Sequence, residues 1–152
     1  ILVEMQMKKV NLIKKEHIPA GLGIGVSKDE QIAMEKADQN ARVDLAKEID
    51  AQMKALTKNF KEEVGGDIVE HFQTASKTVV DTRMNGATLT DVKVETTEDG
   101  QFKIYGIMTL EVDLVSEYLK SLQDTDAANE EMKNKIRAAA DKAYAELDAQ
   151  TK

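Results

Sequence analysis

Three glycines recur at every second position near the start of the chain, in the stretch IPAGLGIGVSKDE. Main-chain N–H groups beside glycines at the start of a helix can bind an anion such as phosphate. The candidate anion ligands here are Gly23, Gly25, Ser27 and Lys28. A dinucleotide fingerprint requires G-x-G-x-x-G and a Walker loop requires G-x-x-x-x-G-K-[ST], and neither spacing occurs. Anion binding between Gly23 and Asp29 is therefore the alternative interpretation of this stretch.

A period of two residues describes a β-strand. Leu22, Ile24 and Val26 would lie on one face of that strand, and the glycines on the other. We expect the apolar face to pack on the helix that follows. The glycine face has no side chains, so another backbone or helix can approach it closely.

The histidines, acidic residues and serines do not occur at the spacings that known catalytic or metal-binding motifs require. His17 and His71 belong to no H-x-x-x-H or H-E-x-x-H pattern, and the chain has no cysteine. Asp124, Asp126 and Glu130 suggest a calcium loop, but the glycine of an EF-hand is missing, and helix N-capping by Asp126 explains them better. No serine lies in G-x-S-x-G or S-x-x-K. We therefore predict no catalytic residue, no metal ligand and no cofactor.

A long helix is predicted directly after the glycines. Ser27 and Glu30 form a capping box at its start, and Gly65 with Gly66 ends it. Its apolar stripe consists of Ala33, Ala37, Ala41, Leu45, Ile49, Met53, Leu56, Phe60 and Val64. Such a helix is about 55 Å long, more than the diameter of about 40 Å of a compact domain of this size. Terminal helices or a second chain must therefore cover part of the stripe.

Three strands are predicted from the remaining periodicity. They cover 19–26, 88–96 and 101–113, and the Asp99-Gly100 turn joins the last two as a hairpin. Helices are predicted over 67–84, 114–122 and 126–150. Residues 1–16 fit either a strand or one side of a helix, and we expect a helical segment within 1–17.

Together these elements predict an α+β fold in a single domain, 1–152. A three-stranded, mostly antiparallel sheet packs on one long helix, with additional helices at the termini and between strands 1 and 2. The core, 18–122, has the order β-α-α-β-β-α, followed by a C-terminal helix within 124–150.

Composition argues against a nucleic-acid partner, because affinity for phosphate backbones comes mainly from clustered Lys and Arg, whereas the net charge here is −7. No apolar run approaches the ~18 residues that a membrane-spanning helix needs. The chain begins at Ile1 rather than Met, so we expect it to be processed or cut from a longer protein.

The stretches AGLGIGVSKDEQIAMEKADQNARVDLAKEI (20–49) and NGATLTDVKVETTEDGQFKIYGIMTLEV (85–112) resemble the LPP-twenty family of small bacterial surface lipoproteins. A similar arrangement occurs in the amino-terminal domain of flagellar assembly protein T. The positions that carry the resemblance are Gly23, Gly25, Ala33, Ala37, Ala41, Arg42, Leu45, Ala46 and Tyr105. The resemblance implies localisation to the cell envelope, in the periplasm or at the outer membrane, through a lipid anchor on a segment absent from this chain. It implies no enzymatic activity.

The function expected from the sequence is therefore that of a non-enzymatic cell-envelope lipoprotein domain. It would act through protein–protein contacts, either as a homo-oligomer or with other envelope proteins. Within it, Arg42 is expected to anchor the helix to the sheet through its guanidinium, with surface solvation as the alternative. The alternative function is a small-ligand domain that binds an anion at the strand–helix junction.

Overall fold

The protein has an α+β fold with five helices and one three-stranded sheet among the residues that the computed structural model describes, 1–122 and 130–150. In chain order the elements are α1 (Leu2–Glu16), β1 (Ala20–Ser27), α2 (Glu30–Glu63), α3 (Gly66–Asn85), β2 (Leu89–Thr96), β3 (Phe102–Thr109), α4 (Leu114–Ser121) and α5 (Glu130–Gln150). The predicted fold class is confirmed, including the helical assignment of the first segment.

Contacts divide the chain into two compact units, a division that the sequence did not predict. The sheet unit comprises Ile1–Ile49 and Gly86–Glu111, and the helical unit comprises Asp50–Asn85 and Val112–Lys152. Helix α2 contributes residues to both, so no break in the helical periodicity marks the boundary.

The sheet has the strand order β1-β3-β2, and both pairs of neighbours are antiparallel. Gly23 lies opposite Gly106 in the β1–β3 pair, and Lys93 lies opposite Tyr105 in the β2–β3 pair. The β2–β3 hairpin turns at Gly100, which adopts a positive φ of 80°. Strand β3 is therefore the central strand, and β1 and β2 are the two edges.

The glycine face of β1 packs directly on the main chain of α2. A Cβ added at Gly23 would lie 2.8 Å from the Ala41 Cα and closer still to the Ala37 carbonyl oxygen. Gly21 and Gly25 meet the same helix one turn further along in each direction. The residues of α2 that face these glycines are mostly alanines, whose side chains are single methyl groups. The main chains of the strand and the helix can therefore come into direct contact.

The apolar face of β1 packs on α1 rather than on the long helix, so that expectation was wrong. Leu22 and Ile24 join a buried cluster that also contains Met5, Ile13, Ala20, Tyr105 and Ile107. On the glycine face of β1, α2 packs closer than any side chain would allow. The face that carries Leu22 and Ile24 packs on the shorter helix, α1. The sheet is thus covered by α2 on one face and by α1 on the other.

The helical unit contains a cluster of three aromatic rings. The ring centroids of Phe60 and Phe72 lie 4.9 Å apart, and those of Phe72 and Tyr118 lie 5.2 Å apart, both pairs edge to face. Helix α5 meets the end of α2 through an ion pair between Lys142 and Glu63, whose atoms are 2.8 Å apart. A terminal helix therefore contacts the end of α2, and the stripe residue Phe60 is covered by Phe72 of α3.

Several boundaries differ from the sequence prediction. Strand β3 ends at Thr109 instead of 113, and Asp113 is the N-cap of α4, where its side chain accepts hydrogen bonds from the Val115 and Ser116 N–H groups. The predicted roles of Asp124 and Asp126 lie outside the described residues. Glu130 is the first residue of α5.

We expect the Gly23→Ala substitution to lower the free energy of unfolding by about 3 kcal/mol or more, because the added methyl group overlaps the α2 main chain. Urea unfolding followed by circular dichroism measures this loss. The matched control is Gly66→Ala, where an added Cβ meets nothing within 4 Å and the stability should hold or rise slightly. Equal stabilities of the two variants would contradict the backbone contact.

Gln52 is fully buried in the helical unit, and neither of its amide atoms has a hydrogen-bond partner among the described residues. We expect Gln52→Met to raise the free energy of unfolding by about 1–3 kcal/mol, because it removes an uncompensated polar group at nearly constant volume. The control is Gln73→Met, at an exposed position of α3. A loss of stability in Gln52→Met would mean that the buried amide is bonded.

Candidate functional site

The strand–helix junction is capped by Asp29, not by the predicted box of Ser27 and Glu30. The Asp29 carboxylate accepts hydrogen bonds from the Gln31 and Ile32 N–H groups at 2.9 and 3.2 Å. The Ser27 hydroxyl instead accepts from the Asp29 N–H at 3.2 Å, outside the helix. Asp29 is preferred because its side chain lies one residue before the helix begins.

This geometry places a carboxylate at the helix start, where the predicted anion would have to bind. Gly23 and Gly25 lie in the middle of β1 against α2, whereas Lys28 is exposed at the turn. The four candidate ligands therefore do not converge on one opening, and anion binding there stays a prediction.

The outer edge of β1 is closed by three polar side chains of α2. The Asp44 Oδ2 atom accepts from the Leu22 N–H at 2.8 Å. The Asn40 amide donates to the Ile24 carbonyl at 2.7 Å, and the Lys36 ammonium donates to the Val26 carbonyl at 3.2 Å.

The spacing of these three side chains follows from two repeats that nearly match. Four residues of helix advance about 6 Å, and two residues of strand advance about 6.6 Å. Side chains four apart on α2 therefore meet every second residue of an antiparallel β1. Sequence reasoning missed this ladder, although Lys36, Asn40 and Asp44 each lie three residues after an alanine of the stripe.

The same alternation identifies which main-chain groups point outward at β2. In an antiparallel pair of strands, the N–H and the carbonyl group of one residue point to the same side of the strand, and the next residue points its two groups to the opposite side. Leu22, Ile24 and Val26 point away from β3, so Gly23 pairs inward with Gly106, and the neighbouring β3 residues Tyr105 and Ile107 point towards β2. The Thr90 hydroxyl indeed donates to the Ile107 carbonyl at 3.2 Å.

Lys93 lies opposite Tyr105, so its N–H and carbonyl groups point towards β3. The N–H and carbonyl groups of Val92 and Val94 therefore point away from β3, towards the outer edge of the sheet. No hydrogen bond reaches these outward groups from any described residue. The Val94 side chain is 46% exposed. The two edges of the sheet thus differ: α2 side chains bond three outward main-chain groups of β1, whereas no described residue bonds those of Val92 and Val94 on β2.

A cavity of about 450 Å³ lies beside α1, within the sheet unit. Leu12 and Ile107 form its apolar lining, and Lys15 and Thr90 are among its polar groups. The Lys8 ammonium also lines it but lies 2.8 Å from the Asp91 carboxylate, a hydrogen bond that raises the pKa of Lys8. Chemically the cavity suits a small amphipathic molecule better than an anion, since its cations are partly neutralised.

Arg42 and Tyr105 are two of the residues that carry the resemblance and lie outside the glycine–alanine contact. The Arg42 guanidinium donates to the Ala87 carbonyl at 3.0 Å, in the segment that leads into β2. Tyr105 is buried on the α1 face, and the Lys103 ammonium lies 5.4 Å from its ring centroid. Arg42 thus contacts the approach to the sheet instead of a strand.

Each of the two histidines contacts groups that explain its position in the fold. His17 adopts a left-handed conformation with φ of 57° and ends α1. The His71 Nδ1 atom lies 2.8 Å from the Tyr118 hydroxyl, and burial raises the pKa of Tyr118. Within 1–122 and 130–150, no group of three His, Asp or Glu side chains is placed to hold a metal ion.

Searches of protein-family models, of curated proteins and of solved structures find nothing that matches this chain. Among the described helices, none combines the length and the apolarity that crossing a membrane requires.

We expect Asp44→Ala to lower the free energy of unfolding by about 1–3 kcal/mol, because it leaves the Leu22 N–H without an acceptor and Lys9, 2.7 Å away, without its carboxylate. Urea unfolding again provides the measurement. Asp44→Asn keeps an acceptor and should lose less. The control is Asp38→Ala, whose carboxylate lies 3.6 Å from the Arg42 guanidinium in a half-exposed pair. A loss no larger than that of Asp38→Ala would refute the edge-closing role.

Proposed function

We propose that this chain is a non-enzymatic contact domain that binds protein, including further copies of itself. The observation that supports this function best is the contrast between the two sheet edges. An unpaired edge strand offers main-chain donors and acceptors to an incoming strand, and proteins that avoid such pairing cover or blunt the edge. Here side chains of α2 bond the edge of β1, whereas the edge of β2 is left uncovered and its Val94 is exposed.

Exposed apolar side chains at the start of α1 support the same proposal. Val3 and Met7, one helical turn apart, are 68% and 61% exposed. Ile1 and Leu2 beside them are also exposed. Grouped apolar side chains on a surface are typical of contact sites, whereas single ones need no explanation.

Placement in the cell envelope is part of the proposal and rests on the resemblance to LPP-twenty lipoproteins. The family's spaced glycines and alanines are the residues that contact each other here, at Gly23 with Ala37 and Ala41. Lipid attachment would require a cysteine outside this chain, which has none. The alternative, an anion-binding domain, has less support, because the Asp29 carboxylate already accepts from the helix-start N–H groups.

Sedimentation equilibrium of the purified chain, from about 1 µM to about 1 mM, tests the self-association part of this proposal. We expect the weight-average mass to rise with concentration towards that of a dimer. The Val3→Ser/Met7→Ser variant, measured in parallel, shows whether the start of α1 contributes. A mass that stays at one chain over the whole range would count against self-association.

A further inference from the structure

The open edge of β2 carries a charge pattern that is complementary to itself. Asp91, Lys93 and Glu95 alternate in sign along the α1 face of the strand. Asp91 is already paired, because the Lys8 ammonium lies 2.8 Å away. Lys93 and Glu95 have no ion pair or hydrogen bond among the described side chains. Glu95 lies opposite Lys103 on β3, but the Lys103 ammonium is placed over the Tyr105 ring.

We infer that β2 pairs with β2 of a second copy, antiparallel and with Val94 opposite Val94. This inference rests on the proposed function and adds the surface, the partner and the register. The outward N–H and carbonyl groups of Val94 would then bond to those of its counterpart, and the two sheets would join into one of six strands. A two-fold axis relates the copies, so one strand supplies both sides of the interface.

Charge selects this register over its neighbours. With Val94 at the centre, Lys93 of each copy faces Glu95 of the other, which makes two cross-strand ion pairs. With Lys93 at the centre, Lys93 would face Lys93, and Asp91 would face Glu95, so all three contacts would be repulsive. With Val92 at the centre, the ladder would run into the irregularity between Leu89 and Asp91, and Asp91 would have to leave Lys8.

The apolar side of the strand agrees with the same register. Val94 is 46% exposed in the single chain and would be covered by Val94 of the second copy. Val92 would face Thr96, which also suits a half-buried sheet surface. A partner protein with an unrelated strand could use the main-chain groups but would not be selected by these paired charges.

Charge reversal tests the interface by sedimentation equilibrium on the full chain. Lys93→Glu and Glu95→Lys should each weaken the dimer about tenfold or more, because two attractive pairs become repulsive in each case. The double variant Lys93→Glu/Glu95→Lys should regain the dimer. An equimolar mixture of the two single variants should form a heterodimer, since each supplies the charges that the other lacks. Lys77→Glu, an exposed lysine of α3, is the matched control and should associate like the unmodified chain.

Disulfide trapping tests the register. Because the chain has no cysteine, a Val94→Cys variant presents a single thiol. Directly opposed residues of a bonded pair have Cα atoms about 5.5 Å apart, within the range that a disulfide spans. Oxidation should therefore link two copies of Val94→Cys, and should not link Val43→Cys, which is exposed on α2.

The outcomes separate this inference from the proposed function. Self-association that is unchanged by both charge reversals, and no stronger in the mixture than in either single variant, would overturn pairing through β2 while leaving a contact domain in place. Loss of the dimer in Val3→Ser/Met7→Ser alone would move the interface to α1. A chain that is monomeric at every concentration would overturn this inference together with the self-association part of the proposed function.

Discussion

The backbone contact between β1 and α2 is the constraint on which the rest of the sheet unit depends. Each glycine at 21, 23 and 25 lies against a main-chain segment of α2 where a Cβ would overlap the helix. The contact needs small residues on both sides, and the alanines at 33, 37 and 41 provide them. Because the helix approaches so closely, its flanking side chains reach the edge of β1, and Asp44, Asn40 and Lys36 bond three of the strand's outward groups. Close approach and edge closure are therefore one structural feature.

That feature also explains why the two edges of the sheet differ. Helix α2 bonds along the edge of β1, and its Arg42 reaches only the segment before β2, at the Ala87 carbonyl. Helix α1 packs on β1 and β3. Neither helix bonds the outward groups of Val92 and Val94, so the described residues leave one edge with unpaired main-chain groups. This asymmetry is the physical basis for proposing protein contact as the function.

The same helix contributes to two kinds of core. Over its first half, alanines allow backbone approach. Over its second half, Leu56 and Phe60 are large and fully buried, and the Phe60 ring packs edge to face on Phe72. The buried Gln52 lies at the beginning of that second half with no bonded amide atom among the described residues. Stability in the two units therefore responds to different substitutions, to added methyl groups in one and to polarity in the other.

The sequence by itself determined the elements, because backbone geometry ties side-chain periodicity to secondary structure: a period of two marked β1, a stripe at three and four marked α2, and Asp99-Gly100 marked the hairpin. It also marked the bare face of β1. Only the tertiary structure decided which helix lies on that face, that Asp29 caps α2, and that β3 ends at Thr109. It also decided that β1 is closed and β2 is open. These outcomes depend on contacts between residues that are far apart in the chain. Small differences in distance decide which of those groups meet, and local periodicity carries no information about such distances.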